Sequence, residues 1–185
     1  MRITDLLPED TTTINQVAAI LVAAFAEQSP DFCPTLDSAI EEIRESFAPD
    51  RISRVALDDD NTALGWVGGI SEYDGNVWEL HPLAVDPAHQ GEGIGSALVA
   101  DLEELVRQRG GTTVQLGTDD ETNMTTLCGV DLYPDPWQHI ARIQNLKRHP
   151  YEFYQKQGYV ITGVVPDANG PGKPDILMCK RVSRN

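Results

Sequence analysis

The chain has 185 residues, 41% of them hydrophobic, which suffices for the core of one α/β domain spanning residues 1–185. Acidic residues outnumber basic ones 29 to 14, and the formal charge of −15 argues against a nucleic-acid partner and for a cationic small molecule. Cys33, Cys128 and Cys179 show no C-x-x-C spacing, so neither a disulfide framework nor a metal site is expected; with no apolar run of membrane-spanning length, the expected setting is a reducing cytoplasm without a membrane.

The elements follow in order. Residues 2–7 start a strand, and residues 11–26 place Ile14, Val17, Ala18, Leu21, Val22 and Phe25 at helical spacing behind Asp10 and the threonines. A break at 29–34 precedes a second helix to about Phe47, with Leu36, Ile40, Ile43 and Phe47 as its stripe and Ser38-x-x-Glu41 as a capping box. Residues 51–57, 63–73 and 76–85 read as an antiparallel meander, with Asp74-Gly75 as a hairpin turn. Ile94, Leu98, Leu102, Leu105 and Val106 define a third helix, stopped by Gly110-Gly111 and followed by a strand at 112–116. Thr118-Asp-Asp-Glu121 ends that strand in carboxylates. A polar insertion at about 123–148 carries a helix from Trp137, a short helix follows with Pro150 in its first turn and Gly158 past its end, and strands at 159–165 and 175–182 close the chain.

The most informative stretch joins the strand ending Leu83-Ala84-Val85 to the third helix through Gln90-Gly91-Glu92-Gly93-Ile94-Gly95-Ser96. Glycines without side chains, able to take positive φ, let several backbone N–H groups converge on a phosphate at a helix N-terminus. The spacing fits neither a P-loop, which needs Lys-Ser/Thr, nor G-x-G-x-x-G. Gln90-x-x-Gly93-x-Gly95 resembles motif A of the GNAT acetyltransferases, their coenzyme A pyrophosphate site, and Phe153-Tyr154-x-x-x-Gly158-Tyr159 is similar to their motif B. The resemblance implies the GNAT fold, a mixed and mostly antiparallel sheet, flanked by helices and splayed where acetyl-CoA slots in.

A narrower resemblance, over roughly 67–180, is carried by Trp78-Glu-Leu-His-Pro-Leu83, Leu116-Gly-Thr-Asp-Asp120, Thr125-Thr-Leu127, Asp131-Leu-Tyr133, Ile143-Gln-Asn-Leu146, His149-Pro-Tyr-Glu-Phe-Tyr154 and Lys173-Pro-Asp-Ile176. These look like the aminoglycoside 6'-N-acetyltransferases of the Ii kind. The resemblance implies that acetyl-CoA, bound by residues 83–85 and 90–96 and by Tyr154, gives its acetyl group directly to a primary amine, without metal or covalent enzyme intermediate. It puts the Leu83 N–H at the acetyl carbonyl and Tyr154 at the leaving thiolate, for which a hydroxyl of ordinary pKa near 10 is a suitable donor. Glu79 and His81 share a strand face by alternation. Glu79 suits the positioning of an ammonium group better than base catalysis, while His81 serves either a proton role or the strand's backbone.

Asp119 and Asp120, with Glu79, are expected to form an acidic wall for a polycation, since one exposed ion pair contributes only about 0.2–1 kcal/mol. Asp175 and Tyr73 are further candidates, and Phe25 stands where the family often carries a tryptophan. A homodimer is expected because related enzymes pair and the closing strands need cover. The residues are also compatible with two other functions: acetylation of a different polyamine, peptide or metabolite amine, and an acyl-CoA sensor that transfers nothing.

Overall fold

The structure, a computed structural model, describes residues 1–27 and 29–183. The chain divides into two compact units, residues 1–114 with the end of the chain from Val182, and residues 115–181.

The first unit opens with β1 (Arg2–Asp5) and α1 (Thr11–Phe25), whose start is fixed by Asp10 accepting the Thr13 N–H. α1 buries Ile14, Val17, Ala18, Ile20 and Leu21, while Val22 and Phe25 pack at the core's margin. The capping box of α2 (Leu36–Glu45) lies three residues earlier than the sequence suggested, because Thr35 and Ser38 form it in place of Ser38 and Glu41. Leu36 is consequently exposed, and Ala39 and Ile43 are the helix's buried residues.

The meander is β2 (Arg51–Leu57), β3 (Ala63–Glu72) and β4 (Val77–Val85), which continue from β1 in the order β1-β2-β3-β4, each pair antiparallel. α3 (Ile94–Gln108) buries Ile94, Leu98, Val99, Leu102 and Val106 and is tied to β2 by Arg54, whose Nε lies 2.7 Å from Asp101. Along β4 burial alternates strictly, with Trp78, Leu80, Pro82 and Ala84 inside. Glu79, His81 and Leu83 therefore share the opposite face.

Register along β3 and β4 shifts between Val67 and Gly69, opposite His81-Pro82. Pro82 has no N–H to give to a ladder, so an irregularity here is the expected accommodation. Only glycine permits it at position 68, where an added Cβ would stand 2.3 Å from the His81 carbonyl oxygen.

The second unit carries β5 (Thr113–Asp119), which starts in the first unit, α4 (Pro136–Ala141), α5 (Tyr151–Lys156), β6 (Val160–Val165) and β7 (Asp175–Arg181). Strand order is β5-β7-β6, with β6 and β7 antiparallel. β5 runs three residues beyond the expected Leu116, so its alternation extends through Thr118, buried, and Asp119, exposed. The insertion is zipped on itself: Thr125 bridges Asn145, and the Leu146 N–H donates to the Met124 carbonyl at 2.7 Å.

Candidate active site

The glycine turn forms as its composition requires. Gly91 and Gly93 adopt φ of +85° and +87°, and an added Cβ at either would meet nothing within 4 Å, so the space beside the turn is open. Gly93 is the N-cap of α3, the helix has no side-chain cap, and its first turn contains no acidic residue. A helix start left uncapped by its own side chains, with the positive end of the backbone dipoles facing open space, fits a pyrophosphate. The turn is anchored at its root by Gln90, whose side-chain amide donates to the Val85 carbonyl, and by Asp86, which accepts the Ala88 N–H. Glu92 is exposed in the turn. Ala84 is buried beside half-buried Leu83 and Val85.

Glu79, His81 and Leu83 lie half-buried on one face of β4. The sequence reading missed what borders His81. The Phe32 ring meets the imidazole edge-on with centroids 5.4 Å apart, Phe25 stacks behind Phe32 at 4.9 Å, and Glu42 of α2 places Oε1 3.8 Å from His81 Nε2. Phe25 thus belongs to an aromatic line ending at His81, and the nearest charged neighbour of the imidazole is Glu42. Tyr73 sits at the tip of the β3–β4 hairpin, 72% exposed, beyond the register pairs Ile70–Glu79, Ser71–Trp78 and Glu72–Val77. It is not brought to Glu79.

In the second unit Tyr154 is buried, its ring edge-on to Phe153 at 5.0 Å and to Tyr159 at 5.7 Å. Burial pushes its hydroxyl well above the ordinary phenol range, so it stays protonated at any working pH. A group of that kind is a hydrogen donor, and a weaker acid than the ordinary phenol assumed from sequence.

The expected acidic wall needs correction at Asp120. Its side chain has no exposure, and its two oxygens accept the N–H groups of Met124 at 2.8 Å and Thr125 at 2.7 Å. Thr125 bridges Asn145, Asn145 clasps His149 through both its amide atoms, and His149 Nε2 lies 3.1 Å from the Asp119 carbonyl. This closed circuit fixes the end of β5. His149 Nδ1 accepts the Tyr151 N–H, which leaves Nε2 to donate, and burial lowers the imidazole's pKa despite the Asp119 carbonyl. Asp120 is therefore a structural anchor, and the wall in this unit reduces to exposed Asp119, which accepts from Asn169, and half-buried Asp175, which lies against Gly117. Replacing Asp120 with Ala leaves two buried donors unanswered and should destabilise the fold by about 3 kcal/mol. Urea unfolding will show this; a loss under about 1 kcal/mol would contradict the anchor role.

Among the described residues no cluster of His, Cys, Asp and Glu is arranged to hold a metal ion, and no helix is long and apolar enough to cross a membrane.

The uncapped glycine turn between β4 and α3, within a β-α-α-β-β-β-α-β succession, defines an α/β acyltransferase of the acetyl-CoA-dependent kind, and the profile of the acetyltransferase (GNAT) family matches residues 15–127. The chain belongs to that family, whose members use acetyl-CoA. Among solved structures it is similar to an aminoglycoside 6'-N-acetyltransferase complexed with coenzyme A, with 40% identity, TM-score 0.92 and coverage of 100% of this chain and 99% of the other. The aminoglycoside 6'-N-acetyltransferase from Enterococcus faecium is also 40% identical, with TM-score 0.88 and the same coverage; the type Ii aminoglycoside 6'-acetyltransferase is 34% identical, with TM-score 0.75. No curated protein sequence matches the chain.

Proposed function

We propose that the chain is an acetyl-CoA-dependent aminoglycoside 6'-N-acetyltransferase that works as one catalytic domain and confers antibiotic resistance. The observation that carries this reading is the likeness, at 40% identity along essentially the whole of both chains, to enzymes of that activity. When bound, acetyl-CoA supplies the thioester; the chain's own residues do the rest. Backbone N–H groups of 90–96 hold the pyrophosphate, and the Leu83 N–H donates to the acetyl carbonyl oxygen as charge builds on it. Tyr154 donates to the departing thiolate. Glu79 holds the acceptor's ammonium group close to the β4 face it shares with His81 and Leu83, and Phe25 presents an apolar ring to the sugar.

Asp119 and Asp175 add carboxylates for a polycation, in keeping with the chain's charge of −15. Asp119→Asn should raise the aminoglycoside KM several-fold and leave that for acetyl-CoA nearly unchanged. Added salt should act in the same direction, because screening shortens to about 8 Å at physiological ionic strength. An aminoglycoside KM that ignores both the substitution and a salt series would mark Asp119 as a solubility charge.

The enzyme is proposed to be a cytoplasmic homodimer. Three free cysteines suit a reducing compartment. β6 ends the strand order and exposes Val160 at 60% and Val165 at 44%, an edge that another copy would cover. Light scattering at micromolar concentration should give twice the chain's 20.3 kDa, and a mass of one chain would refute pairing.

A further inference from the structure

Amine acetylation also requires removal of the acceptor's first proton, and neither Leu83 nor Tyr154 can take it. A carboxylate is in general a poor acceptor for it, and an imidazole is a better one. His81 lies on the same strand face as Glu79, and three independent features fix it. Gly68 runs directly beneath its carbonyl oxygen, Phe32 packs edge-on at its ring, and Glu42 reaches it from α2.

We propose that Glu42 is the positioning residue for His81, the two forming a carboxylate–imidazole pair that readies the ring to accept the proton of the acceptor ammonium. This rests on the acetyl-transfer reading above. Glu42 is held inward because its neighbours Ala39 and Ile43 are fully buried in the core, and its side chain is only 23% exposed. The same placement brings its charge near the Cys33 thiol, which burial pushes up to about 11 with Glu42 adding to the effect.

At 3.8 Å from Nε2 the Glu42 oxygen is within ion-pair range and beyond a direct hydrogen bond. A carboxylate can only accept, so its field favours the tautomer with the hydrogen on Nε2 and leaves the lone pair on Nδ1. Nδ1 has no hydrogen-bond partner among the described residues. One N–H bond of the ammonium breaks, its proton goes to His81 Nδ1 and the nitrogen lone pair is released. The C–N bond forms while the C–S bond breaks, a second nitrogen proton reaches the thiolate sulfur by way of Tyr154, and the proton on His81 returns to water.

The test is a double-mutant cycle on the single-turnover rate of acetyl transfer, combined with the ¹⁵N spectrum of the His81 ring. Glu42→Gln keeps the side chain's size, and should slow transfer roughly ten-fold, at the low end of acid–base effects, while the acetyl-CoA KM holds. In a His81→Ala background the same change should cost less than two-fold, and in the intact ring Glu42→Gln should shift the Nδ1 and Nε2 resonances. Equal slowing in both backgrounds, or an unchanged ring spectrum, would overturn the pairing. If no aminoglycoside is acetylated, the acceptor assignment fails separately, since the cycle can be run with a simple primary amine and the spectrum needs no acceptor.

Discussion

Gly93→Asp should abolish coenzyme A binding while leaving the protein folded. Gly93 sits at φ +87° with nothing within 4 Å of an added Cβ, so the substitution meets no steric obstacle. Strain from a left-handed non-glycine residue is of order 1–2 kcal/mol, and Asp tolerates that region better than most residues. The new carboxylate destroys the site by placing a negative charge and added bulk beside the N–H groups that face the pyrophosphate. Calorimetric titration should show affinity falling roughly 100-fold or more, equivalent to about 2.7 kcal/mol. Gly93→Ala carries the strain without the charge and should lose much less. A folded Asp variant with normal coenzyme A affinity would remove the glycine turn from the cofactor site.

Tyr154→Phe should lower kcat at least ten-fold with little change in stability. The ring's contacts with Phe153 and Tyr159 survive the substitution, and only the buried hydroxyl is lost. Burial keeps that hydroxyl protonated, so the wild-type rate should show no decline from Tyr154 ionisation up to and beyond the ordinary phenol range near pH 10. Rate measurements under conditions where chemistry limits turnover will decide. An unchanged kcat would assign Tyr154 to packing.

The parts of the molecule governed by local rules were readable in the residues. Period-two burial along β4 put Glu79 and His81 on one face, and the glycines at 91 and 93 took the positive φ that their type allows. What escaped was tertiary. Phe32 lies in a proline-punctuated stretch without periodicity, and Glu42 reads as an ordinary polar position of α2, so nothing local tied either to His81. Asp119 and Asp120 illustrate a different failure. Ending β5 at Leu116 hid the alternation that runs through Asp119, which is exposed, and leaves its buried neighbour Asp120 to turn the chain. The capping box of α2 was misplaced because Ser38-x-x-Glu41 fits the local pattern, whereas the helix starts at Leu36 and Ser38 serves as the third helical residue, bonded back to Thr35.

The identity of the acceptor is decided by mapping the acetylated product. The purified protein is given acetyl-CoA with two aminoglycosides, one bearing a 6'-amine and the other a 6'-hydroxyl, alongside a panel of simple polyamines and peptides. Products are mapped by mass spectrometry and NMR. The expected result is a single acetyl group on the 6'-nitrogen of the first compound, with coenzyme A released in equal amount and little turnover of the others. Efficient acetylation of a polyamine or peptide with the 6'-amine left untouched would contradict it.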